Sequence, residues 1–385
     1  MADGSARPRV LFVTRNFPPL LGGMERLNWH LADELRQHCE LRVVAPEGAA
    51  RLAPPGVEVR EVCLRPLHRF LVQAALRARR EARAWRPDWV LAGSGLTATL
   101  AWGAARASGA RAAAYVHGLD LSVAHPVYRA LWRPALRRMD RIIANSTATA
   151  RLADGLGIAA QRISIVHPGT ELPDFDQRAR ERFRQAHGID PRAPVLLAVG
   201  RLTERKGLRQ FVAEVLPSIV REYPGVMFVV IGDAPTNALH AQVQSPESIR
   251  QAAREAGVEG HLRLLGKVDE ADLHDAYFAA DLHVFPIREL PDDIEGFGMV
   301  AVEAAAHGLA TVAYACGGVV DALRDRTSGR LVTPGDTQGF ADAVSRLLRE
   351  PLAAGCVRSF AQDFAWPCFG QGVMRAMGIS PAEST

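Results

Sequence analysis

The chain has 385 residues, of which 48% are apolar and 23% charged, with a net charge of +4. The length predicts two domains rather than one, and the composition is that of a soluble globular protein. Five scattered cysteines (Cys39, Cys63, Cys316, Cys356 and Cys368) form no C-x-x-C pair, which argues against a disulfide framework and a zinc site and for a reducing compartment.

In chain order, the opening MADGSARPRVLFVTR has no apolar core before a cleavage site, so no signal peptide is expected. Its apolar run RVLFVTR (9–15) is followed by the loop NFPPLLGG and the helical MERLNWHLADELRQH, a strand–loop–helix unit. The alternation continues with LRVVAP (41–46), a helical stretch at 67–86, DWVLAG (88–93), a helix near 97–108, AAAYVHG (112–118), a helix near 124–139, RIIANS (141–146) and another helix. The longest uncharged run, 89–105, is loaded with Gly, Ser and Thr and reads as strand, loop and buried helix rather than a membrane span. HPGTELPDF (167–175) has the Pro and Gly punctuation of a linker.

A second series follows: PVLLAVG (194–200), a helix at 207–222, VMFVVIG (226–232), a helix near 246–256, LRLLG (262–266), a helix at 270–279, LHVFP (282–286), a helix after Gly298, ATVAYA (310–315) and a helix near 338–348. FAWPCFGQGVMRAMG (364–378) predicts a final helix able to cross back to the first domain. Strands alternating with helices imply parallel sheets covered on both faces. The expected class is therefore α/β, with two doubly wound, Rossmann-like domains: 1–170 with the returning segment 364–385, and 171–363. Such sheets bind ligands at the C-terminal ends of their strands, so two of them face to face make a cleft.

The loops at those ends hold the candidate chemistry. GRLTERKG (200–207) follows an apolar strand and precedes a helix; Arg201 and Lys206 suit phosphate, although a solvated basic turn has the same composition. Lys206 and Lys267 are the only lysines in a chain that otherwise uses arginine. Gly22 and Gly23 precede a helix and let backbone N–H groups approach an anion, or make a tight turn. Glu295 stands before Gly296-Phe297-Gly298, and Glu303 lies eight positions on, inside the apolar run MVAVEAAA. There it needs a partner, either ligand hydroxyls or a structural arginine. His117 ends a strand in VHGLD, with Asp120 close behind, and is placed for acid–base or hydroxyl contact. There is no HExxH, no Walker sequence and no assignable Ser/His/Asp triad; the D-x-D Asp174-Phe175-Asp176 is too short to imply a metal.

Taken together, PPLLGGMER, VHGLD, IIANS, HPG, GRLTERKG, VVIGDAP, LLGKV, LHVFP and EGFGMVAVE resemble family 4 of the retaining glycosyltransferases over nearly the whole chain. The resemblance implies the GT-B fold, with an acceptor-binding first domain and a nucleotide-sugar-binding second one. It implies that Arg201 and Lys206 hold the donor diphosphate and that Glu303 binds the ribose. Glu295 and the amides of Phe297, Gly298 and Met299 would contact the transferred sugar and phosphate, and the loop at Lys267 and Val268 would meet the base. Gly22 and Gly23 would approach the phosphates, and His117 the donor sugar near the reaction centre. No cofactor and no metal are expected; the donor is a UDP- or GDP-sugar. Ala234 in IGDAP, Ile287 after Pro286 and the acidic ELPDD depart from the family pattern.

Charge is uneven: residues 1–170 carry 24 Arg and 13 acids, whereas 171–385 carry 22 Lys+Arg and 29 acids. Within the basic half, residues 65–86 read RPLHRFLVQAALRARREARAWR. Leu67, Phe70, Leu71, Ala74, Ala78, Ala82 and Trp85 form one stripe, and arginines, with Val72 and Leu76, cover the rest. Such a helix lies on anionic lipid or packs its stripe on a sheet. A nucleic-acid partner is not expected, since the segment has few aromatics and no recognisable motif. The leading expectation is a cytoplasmic glycosyltransferase, peripheral at the inner face of the membrane, acting on a lipid-linked or cell-envelope glycan. The alternatives are a relative that acts on the sugar nucleotide itself, as a 2-epimerase does, and a non-catalytic binding subunit.

Overall fold

The computed structural model describes residues 7–123, 125–234, 243–290 and 293–380. The start of the expected 124–139 helix, Pro235 of IGDAP, and Pro291 and Asp292 of ELPDD lie outside the described residues. The chain divides into two compact units, Met1–Gly169 with Trp366–Thr385, and Thr170–Ala365.

The first unit is a seven-stranded sheet of β1 (Arg9–Val13), β2 (Glu40–Pro46), β3 (Glu58–Val62), β4 (Trp89–Ala92), β5 (Arg111–Val116), β6 (Arg141–Ala144) and β7 (Ile163–Ile165), in the order β3-β2-β1-β4-β5-β6-β7. Every pairing is parallel, with β1 between β2 and β4. Its central strands are continuous runs of buried residues, as in RVLFV and WVLA, because helices cover both faces. The second unit repeats the plan with β8 (Val195–Val199), β9 (Met227–Ile231), β10 (Leu262–Gly266), β11 (Leu282–Phe285), β12 (Thr311–Tyr314) and β13 (Gly329–Val332), in the order β10-β9-β8-β11-β12-β13. Along β8, Leu196 and Ala198 enter one apolar cluster while Val195 and Leu197 enter the other, the period-two signature of a sheet buried on both sides. In each sheet the chain runs out to one edge and then returns beside its first strand. That switch of direction falls between β1 and β4 in the first unit and between β8 and β11 in the second.

The last helix, Trp366–Met377, belongs to the first unit. Trp366 stacks on His30 at 3.9 Å, and Arg141 Nε donates to Ala376 O at 3.1 Å. The sequence reading misses β3, β7 and β13, all of them sheet edges. It also takes 207–222 as one helix. The chain instead widens into a π turn at Phe211–Val215 between helical segments Leu208–Gln210 and Leu216–Glu222. Pro217, at the start of the second segment, lacks the N–H a continuous helix needs and its ring crowds the preceding turn.

Candidate active site

Two loops meet at the switch point of the second sheet. The first leaves β8 as Gly200-Arg201 and is pinned by Leu202 and Thr203, each 1% exposed. It then closes a tight 3₁₀ turn, Glu204–Lys206, in which Lys206 N donates to Thr203 O at 2.9 Å. The turn ends at Gly207, whose φ of 68° is left-handed, and a Cβ there would lie 2.0 Å from Pro286 O. Only glycine lets the β8 loop press this closely on the one that leaves β11.

The β11 loop brings the counter-charge. Lys206 Nζ donates to Glu295 Oε2 at 3.0 Å and lies over the Phe285 ring at 4.6 Å. Arg205 joins from the same turn: its NH1 donates to Ile294 O at 2.9 Å and stands 3.3 Å from Glu295 Oε2, while its Nε is 3.4 Å from Asp293 Oδ1. Burial pushes the Glu295 carboxyl up, but Arg205, Lys206 and Arg201 outweigh it and hold the group at about 2. Lys206 goes the other way: burial lowers its ammonium below the usual value despite Glu295. The asymmetry has a simple cause: Glu295 feels Arg205, Lys206 and the more exposed Arg201 together, whereas for Lys206 the cost of burial outweighs its one carboxylate partner. Arg201, exposed at the rim of this paired cluster, is the cation suited to an incoming anion.

Beyond Glu295 the chain makes its Gly-Phe-Gly turn. Phe297 is 3% exposed, its ring 5.8 Å from Phe364, so its side chain belongs to the core and only its backbone is left for a ligand. Gly298 takes φ 95°, where a Cβ would meet the Phe285 ring at 2.9 Å. The helix Met299–Ala306 starts there, and among the described residues no side chain caps it. Its first N–H groups therefore face outward with the positive end of the helix dipole. Glu303 sits one turn further, about 6 Å along the axis from Met299, buried, with Tyr277 Oη donating to its Oε2 at 3.0 Å. Lys267 is exposed after β10, and Val268 packs against the cluster on one face of the sheet.

In the first unit, β1 runs into Thr14 and Asn16. Asn28 Nδ2 donates to Thr14 Oγ1 at 3.0 Å and to Asn16 O at 2.9 Å, and Asn16 Nδ2 donates to Glu25 Oε1 at 2.7 Å. Gly22 and Gly23 are exposed at the start of the helix Gly23–His38, which, among the described residues, also has no side-chain cap. His117 ends β5 half-buried, with Nε2 3.2 Å from Gly93 O and its backbone N–H donating to Asp120 Oδ2 at 3.1 Å. Since Gly93 O only accepts, Nε2 carries the ring proton.

Two family models match the chain: Glycosyltransferase Family 4 over residues 21–172 and Glycosyl transferases group 1 over 193–350. Between them they take in most of both units. The chain belongs to family 4 of the glycosyltransferases, a family of transferase enzymes. This glycosyltransferase is 33% identical over 234 residues to a D-inositol 3-phosphate glycosyltransferase of Mycobacterium ulcerans, covering 59% of this chain and 48% of that protein. It is likewise 33% identical over 248 residues to that of Actinosynnema mirum, covering 62% and 57%. The chain thus spans about half the length of the curated relatives it matches. Among solved structures, Anabaena HepE in complex with UDP superposes with a TM-score of 0.77 at 21% identity, over 96% of this chain and 99% of that one. WaaG, a glycosyltransferase involved in lipopolysaccharide biosynthesis, gives 0.68 at 17% identity, over 97% and 100%. These likenesses show the GT-B fold.

In this glycosyltransferase Arg201, Lys206 and Glu295 share one electrostatic cluster, and Phe297, Gly298 and Met299 form the helix start beside it. Glu303 lies further along that helix, while Gly22, Gly23 and His117 belong to the first unit. Sequence reading missed Arg205, Tyr277 and His307. The Arg-Lys pair in GRLTERKG is a signal for the first, because a 3₁₀ turn can send successive long side chains to one carboxylate. The other two carry no local signal. The stripe of the helix Leu67–Trp85 is resolved as core: Phe70, Ala74, Ala78 and Ala82 are buried and Leu67, Leu71 and Trp85 pack beside them. Its outward face keeps Val72 and Leu76, 58% and 63% exposed, among exposed Arg69, Arg79, Arg80 and Arg83. Among the described residues, no helix is long and apolar enough to cross a membrane.

Proposed function

We propose that the chain is a retaining, metal-independent hexosyltransferase that moves a hexose from a UDP- or GDP-sugar to a lipid-linked or cell-envelope glycan acceptor. One observation carries the reading. At the switch point of the second sheet, where open α/β sheets bind ligands, three cations from the β8 loop lie beside a helix start from the β11 loop. Arg201 and Lys206 bind the donor diphosphate, with the amides of Gly298 and Met299. Their positive charge also stabilises the diphosphate as it departs, the part a metal otherwise plays. Glu295 orients Lys206 and contacts the transferred sugar. Glu303 accepts from the ribose hydroxyls, and Lys267 and Val268 meet the base.

The first unit binds the acceptor, with Gly22 and Gly23 at the phosphates and His117 at the sugar. The bond from the sugar's anomeric carbon to phosphate breaks, and a bond to the acceptor oxygen forms on the same face. The acceptor's proton passes to the leaving phosphate. Solved relatives in complex with UDP and UDP-glucose support a uridine donor, and the relatives named for D-inositol 3-phosphate put a phosphorylated polyol among the acceptors to test. The basic outward face of Leu67–Trp85, with its groove of about 470 Å³ lined by Leu76, Arg79, Arg80, Arg83 and Ala84, supports docking on anionic lipid at the cytoplasmic face.

The test is to incubate the chain with UDP- and GDP-hexoses in a chelator, with and without lipid-linked glycans or inositol 3-phosphate. The expected result is nucleotide release only with acceptor, retained anomeric configuration by NMR, and loss of turnover in Lys206→Ala. Consumption of the nucleotide sugar without acceptor points to the epimerase class instead. Transfer that appears only when a divalent metal is restored removes the metal-independent part.

A further inference from the structure

Glu303 is held by more than its own helix. Tyr277, on the helix Glu270–Ala279, is 2% exposed and donates from its hydroxyl to Glu303 Oε2 at 3.0 Å. The Tyr277 ring in turn stacks on His307 at 4.7 Å and 25°. His307 closes the circuit, because its Nδ1 lies 2.7 Å from Glu303 O. That carbonyl only accepts, so Nδ1 carries the proton. His307 Nε2 is then the acceptor for His274 Nδ1 at 3.1 Å. Burial keeps the His307 imidazole neutral, its value lowered to about 3, so this tautomer holds at neutral pH. One imidazole thus fixes both the tyrosine ring and the Glu303 peptide, and the tyrosine fixes the carboxylate.

A carboxylate that only needed burial relief would be served by any donor. This one is held at its head by Tyr277 and at its backbone by His307, which biases the orientation of its terminal torsion. Two neighbouring hydroxyls of a ribose need just such a carboxylate, held in one plane, to be bound together. We infer that Tyr277 is a positioning residue for donor recognition, locking the plane of the Glu303 carboxylate so that it discriminates a ribose from a sugar lacking one hydroxyl. This rests on the proposed ribose contact of Glu303, and it assigns the precision of that contact to a residue 26 positions away in sequence.

The experiment measures, by calorimetry on the full chain, the affinities for UDP and GDP and for their 2′-deoxy forms, in the unmodified protein and in Tyr277→Phe, His307→Phe and Glu303→Gln. The unmodified protein should prefer the ribo form of its nucleotide by about tenfold, the size of one hydrogen bond to a charged group. Glu303→Gln should erase that preference. Tyr277→Phe, which keeps the ring and its stacking, should cut it at least about threefold, with affinity for the deoxy form nearly unchanged. His307→Phe should fall between. A Tyr277→Phe protein that binds the deoxy form normally yet keeps the full ribose preference, while Glu303→Gln loses it, overturns the inference. If Glu303→Gln keeps the preference, or neither nucleotide binds, the ribose contact itself is wrong. Should Tyr277→Phe not fold, the ratio in His307→Phe decides.

Discussion

The two sheets of this glycosyltransferase share one plan and differ at the point where each reverses direction. At β1/β4 the loop after β1 is built mainly of amides and hydroxyls, Thr14, Asn16 and Asn28 bonded to one another and to Glu25. At β8/β11 the loops are ionic, with Arg205 and Lys206 converging on one oxygen of Glu295. A parallel sheet offers the same geometry in both places, so the ligand's charge is chosen by loop side chains and not by the fold. The two solutions also cost differently. Hydrogen bonds among mostly neutral groups are nearly balanced against water, whereas poorly exposed ions are stable only while each keeps its partner.

The comparison breaks most sharply at Glu295. Glu295→Ala strands Lys206 and leaves Arg205 to Asp293 and Ile294 O; it should lower stability by about 3–5 kcal/mol in urea unfolding, with transfer reduced roughly 100-fold or more. Asn16→Ala in the other unit should cost only about 1 kcal/mol. Equal costs would mean that the two switch points do not differ as described. Gly207→Ala comes next. With φ at 68° and Pro286 O in the way, it should lose about 2–3 kcal/mol by the same measurement and weaken donor binding, because the two loops can no longer touch.

The pH dependence sharpens the contrast further, since the second unit buries a neutral histidine as well as a paired acid. His283 is lowered by burial to about 3 from 6.5. The unfolded chain therefore binds a proton near 6.5 that the folded one refuses. Stability is full above that value and falls on acidification by up to about 1.4 kcal/mol per pH unit. His283→Gln should flatten urea midpoints between pH 6 and pH 4. Glu295, held at about 2 against 4.5, contributes stability that is present above 4.5 and disappears as pH falls toward 2. Glu295→Ala should therefore flatten only the lower limb. The smallest effect belongs to the outward face of the Leu67–Trp85 helix. Leu76→Ser should leave stability within about 0.5 kcal/mol, while co-sedimentation with anionic vesicles at low salt falls severalfold. Unchanged sedimentation removes the lipid-facing role.

Interior strands such as VLLAV and MFVVI were legible because they are buried on both faces and so must be continuously apolar. β3, EVREV, was not, for the opposite reason: it lies at an edge and keeps polar side chains on its exposed positions. In the site, Arg201, Lys206, Glu295 and Glu303 stood out as charges set against glycine or alanine. Arg205 did not, being one arginine in an arginine-rich chain. Its role depends on Ile294 and Glu295, 89 and 90 positions away. Tyr277 read as a core aromatic, which it also is.

The amino-acid order alone was enough for the α/β alternation, the two-domain division and the family, because burial and glycine-dependent turns leave marks within a few residues. Only the tertiary structure decided which charges neutralise each other, that the arginine-flanked stripe of Leu67–Trp85 is core, and that a tyrosine grips Glu303. Those outcomes are contacts between distant segments, and a hydrogen bond depends on ångström distances that no local pattern encodes.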